Sequence, residues 1–178
     1  MNKSRLTMLA AALAIFAPAP VACAQASGGA SAEPQPPAPR LEFVFEEFVT
    51  LGAGIHPGAT PFGERNIVPI TGGVFSGPKI HGKVMSGGWD WQLGTSTGCF
   101  QLRADYMLQA DDGAIINVVN KGTMCKSAGP DAKLYTAPVF EAPLGPHEWL
   151  NSGAYIGTLD SATFEGKPAV HIRFYQVK

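Results

Sequence analysis

Residues 99–125 read CFQLRADYMLQADDGAIINVVNKGTMC, and the Asp111-Asp112-Gly113 at their centre decides how the chain is read. A three-residue loop ending in glycine suits a type I turn closed by a bulge, because its last position needs a left-handed backbone that glycine adopts without strain. With those residues as the loop, Ala110 faces Ala114 and the indices of every cross-strand pair sum to 224. One face then carries Phe100, Leu102, Ala104, Tyr106, Leu108, Ile116 and Val118, with Asn120 as its lone strong polar group. The other carries Gln101, Arg103, Asp105, Gln109, Asn117, Lys121 and Thr123, which solvent or a second subunit would meet. Cys99 falls directly opposite Cys125.

The same period of two runs outward from this hairpin. Val170, Ile172 and Phe174 alternate with His171, Arg173 and Tyr175, and Ile80, Gly82 and Val84 alternate with Lys79, His81 and Lys83. Leu41, Phe43, Phe45 and Val49 share a face on which Glu47 also falls. Gly and Pro punctuate the pattern every ten residues or so, and no long 3.6-residue period interrupts it. About eight such strands with few residues left for helices predict an all-β fold, a closed antiparallel barrel that removes its own sheet edges, as lipocalins do.

The N-terminal part is of another kind. Met1 to Arg5 is basic, Leu6 to Ala17 is apolar, and Ala24-Gln25-Ala26 supplies the small residues of a signal-peptidase site, so residues 1–26 read as a cleavable signal peptide. The apolar run is too short to span a bilayer as a mature helix. A lipid anchor on Cys23 needs a Leu-like residue three places earlier, where Pro20 stands. Residues 27–40 are Gly, Ala, Ser and Pro with almost no large apolar side chains, a flexible tether that cannot offset its ordering entropy. Residues 41–178 form the single barrel domain. The expected location is the periplasm or the medium.

Removing residues 1–26 takes away Lys3 and Arg5 and no acid, leaving 11 basic and 14 acidic residues and a formal net charge of −3. No basic stripe remains, so nucleic acid and anionic membrane lose their usual electrostatic footprint. In an exported protein the remaining pair, Cys99 and Cys125, reads as a disulfide.

The stretch from Gly63 to Pro78, GERNIVPITGGVFSGP, resembles a family of small bacterial and fungal proteins, the domain of unknown function numbered 3237. Gly82, Gly87-Gly88-Trp89-Asp90-Trp91, the Asp111-Asp112-Gly113 turn leading to Asn120 and Gly122, Thr136 to Glu141, and Trp149-Leu150-Asn151 look like the same signature. The resemblance covers Leu41 to Lys178. It implies a barrel similar to those of allene oxide cyclases and dirigent proteins, with a lumen open to small apolar molecules, and no settled reaction. Members often carry Asp then Arg where this chain has Arg103 then Asp105, and Tyr where it has His147, so no roles carry over to those positions.

Several residues have chemistry to offer such a lumen. A carboxyl on an apolar face has a raised pKa and suits general acid/base work, which singles out Glu47. Asp90 stands between Trp89 and Trp91, where aromatic walls would hold a planar substrate beside an acid. Arg65 would bind a carboxylate or phenolate through two parallel hydrogen bonds. Tyr106 and Asn120 project inward in the hairpin register and would polarise a substrate carbonyl, with Trp91 and Trp149 as substrate-binding walls. Each also has a plain structural reading: a solvated Glu47, a strand-capping Asp90 with core tryptophans, a surface ion pair for Arg65, and buried backbone partners for Tyr106 and Asn120. Asp111 and Asp112 belong to the turn.

His56, His81, His147 and His171 have neither helical nor strand ligand spacing, so no metal site is expected. No phosphate loop, dinucleotide fingerprint or nucleophile elbow occurs, and no cofactor is expected. The sequence therefore points to a cofactor-independent lyase, isomerase or cyclase acting on a small aromatic or apolar compound by acid/base catalysis. The alternative is an exported carrier of a small hydrophobic ligand. A lumen in which a carboxylate faces an Arg, Tyr or Asn favours catalysis, and an entirely apolar lumen favours carriage.

Overall fold

A computed structural model describes residues 36–129 and 133–178. The expected signal peptide, residues 1–26, and most of the expected tether, residues 27–40, lie outside the described residues; residues 36–40 are exposed and without regular structure. Ten strands follow: β1 (Leu41–Leu51), β2 (Ile55–Thr60), β3 (Gly63–Ser76), β4 (His81–Val84), β5 (Gly88–Gly94), β6 (Cys99–Ala110), β7 (Ile115–Cys125), β8 (Tyr135–Glu141), β9 (Tyr155–Phe164) and β10 (Lys167–Val177). Two 3₁₀ turns, Lys126–Ala128 and Glu148–Asn151, complete the regular structure among the described residues.

All pairings are antiparallel, and the sheet closes on itself because β1 pairs with both β10 and β3. The wall is an eight-stranded closed barrel. The ten segments fill eight positions because β4 and β5 follow one another between β3 and β6, while β2 prolongs the path of β1 along β3. Among the described residues every strand but β2 is paired on both sides, so closure removes all but that short edge.

The central hairpin has the register that its turn dictates. Cys99 lies opposite Cys125, Tyr106 opposite Val118 and Gln109 opposite Ile115. Gly113 takes φ +91°, the conformation its place in the turn requires, and the Asp112 carboxylate accepts the Ala114 amide. The Cys99–Cys125 disulfide is formed.

At the end of the barrel where β1 begins and β8 ends, Phe45, Phe75, Phe140 and Phe174 pack ring against ring, at centroid distances of 4.9 to 5.7 Å. Leu108, Ile116 and Val118 are fully buried beside them. Each such side chain contributes roughly 1.5–3 kcal/mol by leaving water, so this end is a filled core.

The first strand corrects one expectation. Phe45, Glu47 and Val49 do face inward, but Leu41 and Phe43 are exposed. The register of β1 against β10 shifts between Phe43 and Phe45. One extra residue in a strand reverses the faces that precede it.

Candidate functional site

Toward the other end, where β3 begins and β5 ends, the inner wall becomes polar. Val68, Asp90, Ala104, Asn120 and Pro138 form one row across β3, β5, β6, β7 and β8. The neighbouring row holds Asn66, Gln92, Leu102, Gly122 and Thr136. Asn66, Asp90, Gln92 and Gly122 are only partly buried, so this half of the lumen opens to solvent while the phenylalanine end is shut.

Glu47 lies at the boundary between the two halves. It is 0% exposed, and its Oε1 accepts the hydrogen bond that the Tyr106 phenol donates from the opposite wall. Gly88 makes room for that phenol: a Cβ there would stand 2.5 Å from the Cβ of Tyr106. Burial raises the Glu47 pKa to about 8, with the Tyr106 hydrogen bond pulling the other way. The carboxyl is therefore mostly protonated at neutral pH. Tyr106 is held well above its ordinary value, first by burial and then by the neighbouring Glu47 and Asp90 charges.

Asp90 is the second inward acid. Burial raises its pKa, partly offset by the Gln92 amide, which donates to Oδ2 at 2.7 Å. Gln92 in turn accepts from the Asn66 amide at 2.8 Å. This chain holds one carboxyl oxygen and leaves Oδ1 without a partner. Two strand positions away, Asn120 is 1% exposed, and neither its Oδ1 nor its Nδ2 has a hydrogen-bond partner. Ala104 stands between them on the inner face, so their backbones are about 10 Å apart. Glu47 Oε2 and Thr136 Oγ1 are also buried without partners.

Four residues singled out in the sequence thus meet in the lumen: Glu47, Asp90, Tyr106 and Asn120. Three do not. Trp91 is 41% exposed and pairs with Ile67 and Arg103 on the outer face. Adjacent strand residues point to opposite faces, so Asp90 and Trp91 cannot both line the lumen. Arg65, opposite Leu93, falls on the same outer face and lines a pocket with Trp91, Arg103, Lys121 and Tyr135, to which Leu102, Gly122 and Thr136 of the second inner row also contribute. Trp149 sits in the 3₁₀ turn between β8 and β9, at the shut end, packed against the core beneath the Lys79 ammonium, 5.6 Å from the ring centre. It lies far from Asp90.

Sequence reasoning missed Asn66, Gln92 and Thr136. Period two alone would have found Gln92, two residues beyond Asp90. Asn66 required the pairing of β3 with β5. Asp111 and Asp112 keep their turn role, bonded to His81 and His147 at 2.7 and 2.8 Å. Among the described residues no three His, Cys, Asp or Glu side chains stand together as metal ligands.

Residues 39–177 match the family described as Protein of unknown function (DUF3237). The chain belongs to this family. A UPF0311 protein of Rhodopseudomonas palustris is 33% identical over 135 residues, which cover 67% of this chain and 88% of that one. The crystal structure of a β-barrel-like protein from Acinetobacter baumannii superposes with a TM-score of 0.68 at 28% identity, covering 82% of this chain and all of the other. A protein of Penicillium herquei, named a hydroalkoxylation enzyme, is 27% identical over 124 residues, 70% of this chain and 76% of its own. The DUF3237 match extends over nearly the whole barrel, from before β1 to the end of β10.

Proposed function

We propose that this DUF3237 barrel is a cofactor-independent lyase, isomerase or cyclase that moves a proton on a small aromatic or apolar compound held in the half-open lumen. The observation that carries this reading is the pair of inward carboxyls, Glu47 and Asp90, in one lumen with the Tyr106 phenol and the Asn120 amide. Both acids are drawn toward their protonated forms by burial, which is how a carboxyl becomes a useful acid or base near neutral pH.

The name of the Penicillium herquei relative supports the same class. Hydroalkoxylation adds an O–H across a carbon–carbon double bond. A C–O bond forms as the π bond breaks, a base takes the hydroxyl proton, and an acid delivers a proton to the other carbon. No electrons are gained or lost, so two carboxyls in opposite protonation states suffice. In this lumen Asp90, partly open to solvent, is the base and Glu47 the acid, with Asn120 stabilising charge that develops on oxygen and the Tyr106 phenol holding the Glu47 carboxyl in place.

The test pairs turnover with binding across a panel of small phenolic alkenes. Asp90→Asn and Glu47→Gln should each lower turnover by roughly a hundredfold to ten-thousandfold while affinity stays within a few fold. Normal turnover in both variants sinks the assignment. Tight binding in the lumen with no conversion of any compound replaces the enzyme by a carrier.

A further inference from the structure

The strands that turn Asp90, Ala104 and Asn120 inward turn Trp91, Arg103 and Lys121 outward, one after another across β5, β6 and β7. Arg65 stands diagonal to Trp91, because its own partner on β5 is Leu93. All four line the pocket described above, whose volume is about 1040 Å³, and Leu41, Leu93 and Ile156 add apolar wall to it. An apolar wall with a few convergent polar groups is the usual form of a small-molecule site.

The charge in this pocket is one-sided. Arg65, Arg103 and Lys121 line it and no Asp or Glu does, although acids outnumber bases 14 to 13 along the chain. Arg103 donates from Nη2 to Asp105 at 2.9 Å, which leaves its other guanidinium donors available. Arg65 and Lys121 form no salt bridge with a described residue. Trp91 beside them is exposed despite its size. An uncovered indole next to unpaired cations is complementary to an apolar ring that carries a negative charge.

We propose that this pocket binds an aromatic carboxylate, its ring laid on Trp91 and its carboxylate held by Arg103 and Lys121, with Arg65 adding positive charge from the other side of the ring. Trp91 and Lys121 are two strand intervals apart, about 10 Å, which is comparable with the length of a two-ring acid, and Arg103 lies between them. A bare inorganic anion would leave the indole wet, an uncharged ring would gain nothing from the cations, and an ammonium would meet three like charges. The site is separate from the lumen of the proposed reaction: Glu47, Asp90 and Asn120 do not line it, and Leu102, Gly122 and Thr136 are the inner-row residues that reach it.

Calorimetric titration of the purified protein at neutral pH tests this with 2-naphthoate, 2-naphthamide, 2-naphthylmethylammonium and acetate. The naphthoate should bind tightest, about tenfold or more above the amide and the ammonium, with acetate weaker still. Lys121→Gln should weaken the naphthoate about tenfold and Arg65→Gln less, both leaving the naphthamide within about twofold, whereas Trp91→Ala should weaken naphthoate and naphthamide alike. Asp90→Asn and Glu47→Gln should leave the naphthoate affinity unchanged. The proposal is overturned if the amide, the ammonium or acetate binds as tightly as the naphthoate, if the naphthoate does not bind, or if Lys121→Gln and Arg65→Gln both bind it as the wild type does. A loss confined to Asp90→Asn or Glu47→Gln puts the acid in the lumen and overturns the outer site alone.

Discussion

The Tyr106 phenol donates its hydrogen bond to Oε1 of Glu47 across the barrel, tying β6 to β1 through two side chains that are both fully enclosed. A carboxyl so placed makes stability depend on pH in a definite direction. The folded protein holds the Glu47 proton up to about pH 8, whereas the unfolded chain releases it near 4.5. Stabilisation is therefore complete below pH 4.5 and is lost as pH rises through 8, at about 1.4 kcal/mol per unit. Urea midpoints of the wild type and Glu47→Gln, measured from pH 5 to 9, should diverge steadily and then run parallel. A difference that is flat with pH removes the buried-acid assignment.

Removing the other partner makes a separate prediction. Tyr106→Phe keeps the ring and deletes the one side-chain hydrogen bond Glu47 makes among the described residues, leaving a buried acceptor unsatisfied at a cost of about 1–3 kcal/mol. Because that bond lowers the Glu47 pKa, its loss should also move the alkaline end of the stability profile to higher pH. Unchanged urea midpoints would mean that the phenol and the carboxyl do not share a hydrogen bond in solution.

The disulfide tests the hairpin register independently. Cys99 and Cys125 close a loop across a sequence separation of 26, and the chain-entropy account gives such a closure about 3 kcal/mol. Cys99→Ala/Cys125→Ala should lose about that much in urea unfolding, and peptide mapping without reductant should recover the linked pair. Two free thiols in the protein would remove both the bond and the stabilisation.

The hairpin was legible because one turn dictates its whole register: once Asp111-Asp112-Gly113 is the loop, Cys99 must meet Cys125 and Tyr106 must turn inward with Asn120. Glu47 was legible for the same reason, as a carboxyl in phase with Phe45 and Val49. What misled was hydrophobicity used in place of parity. In Gly88-Trp89-Asp90-Trp91 the two large aromatic rings go outside and the acid goes in, the reverse of what burial preference suggests, because a single strand offers each neighbour opposite faces. The bulge that exposes Leu41 and Phe43 leaves no mark in local composition, since Leu-Glu-Phe-Val-Phe alternates acceptably in either frame.

Export is the expectation for the N-terminal segment, from its basic start, its short apolar run and Ala24-Gln25-Ala26. Intact mass of the protein from its native host should correspond to a chain beginning near Ser27, recovered from the periplasm or medium. Retention of residues 1–26, or a diacylglyceryl adduct on Cys23, contradicts this.

Gln92 is a positioning residue for Asp90, and its effect has a sign. Its amide nitrogen donates to Asp90 Oδ2 at 2.7 Å, and its oxygen is fixed by the Asn66 amide at 2.8 Å, so the acid is held with Oδ1 directed away from the pair. The same bond favours the ionised form, against the burial that raises the Asp90 pKa. Gln92→Leu removes the donor without adding charge, so Asp90 should titrate at higher pH, and the limb of any pH–rate profile that needs ionised Asp90 should shift upward with it. Asn66→Ala leaves the donor in place but frees Gln92 to rotate, and should produce a smaller shift in the same direction. Carboxyl carbon NMR titration of Asp90 in the three proteins reads this directly. A role confined to packing would change unfolding midpoints and leave the Asp90 titration where it was; an upward shift in the order wild type, Asn66→Ala, Gln92→Leu assigns the amide chain to the acid.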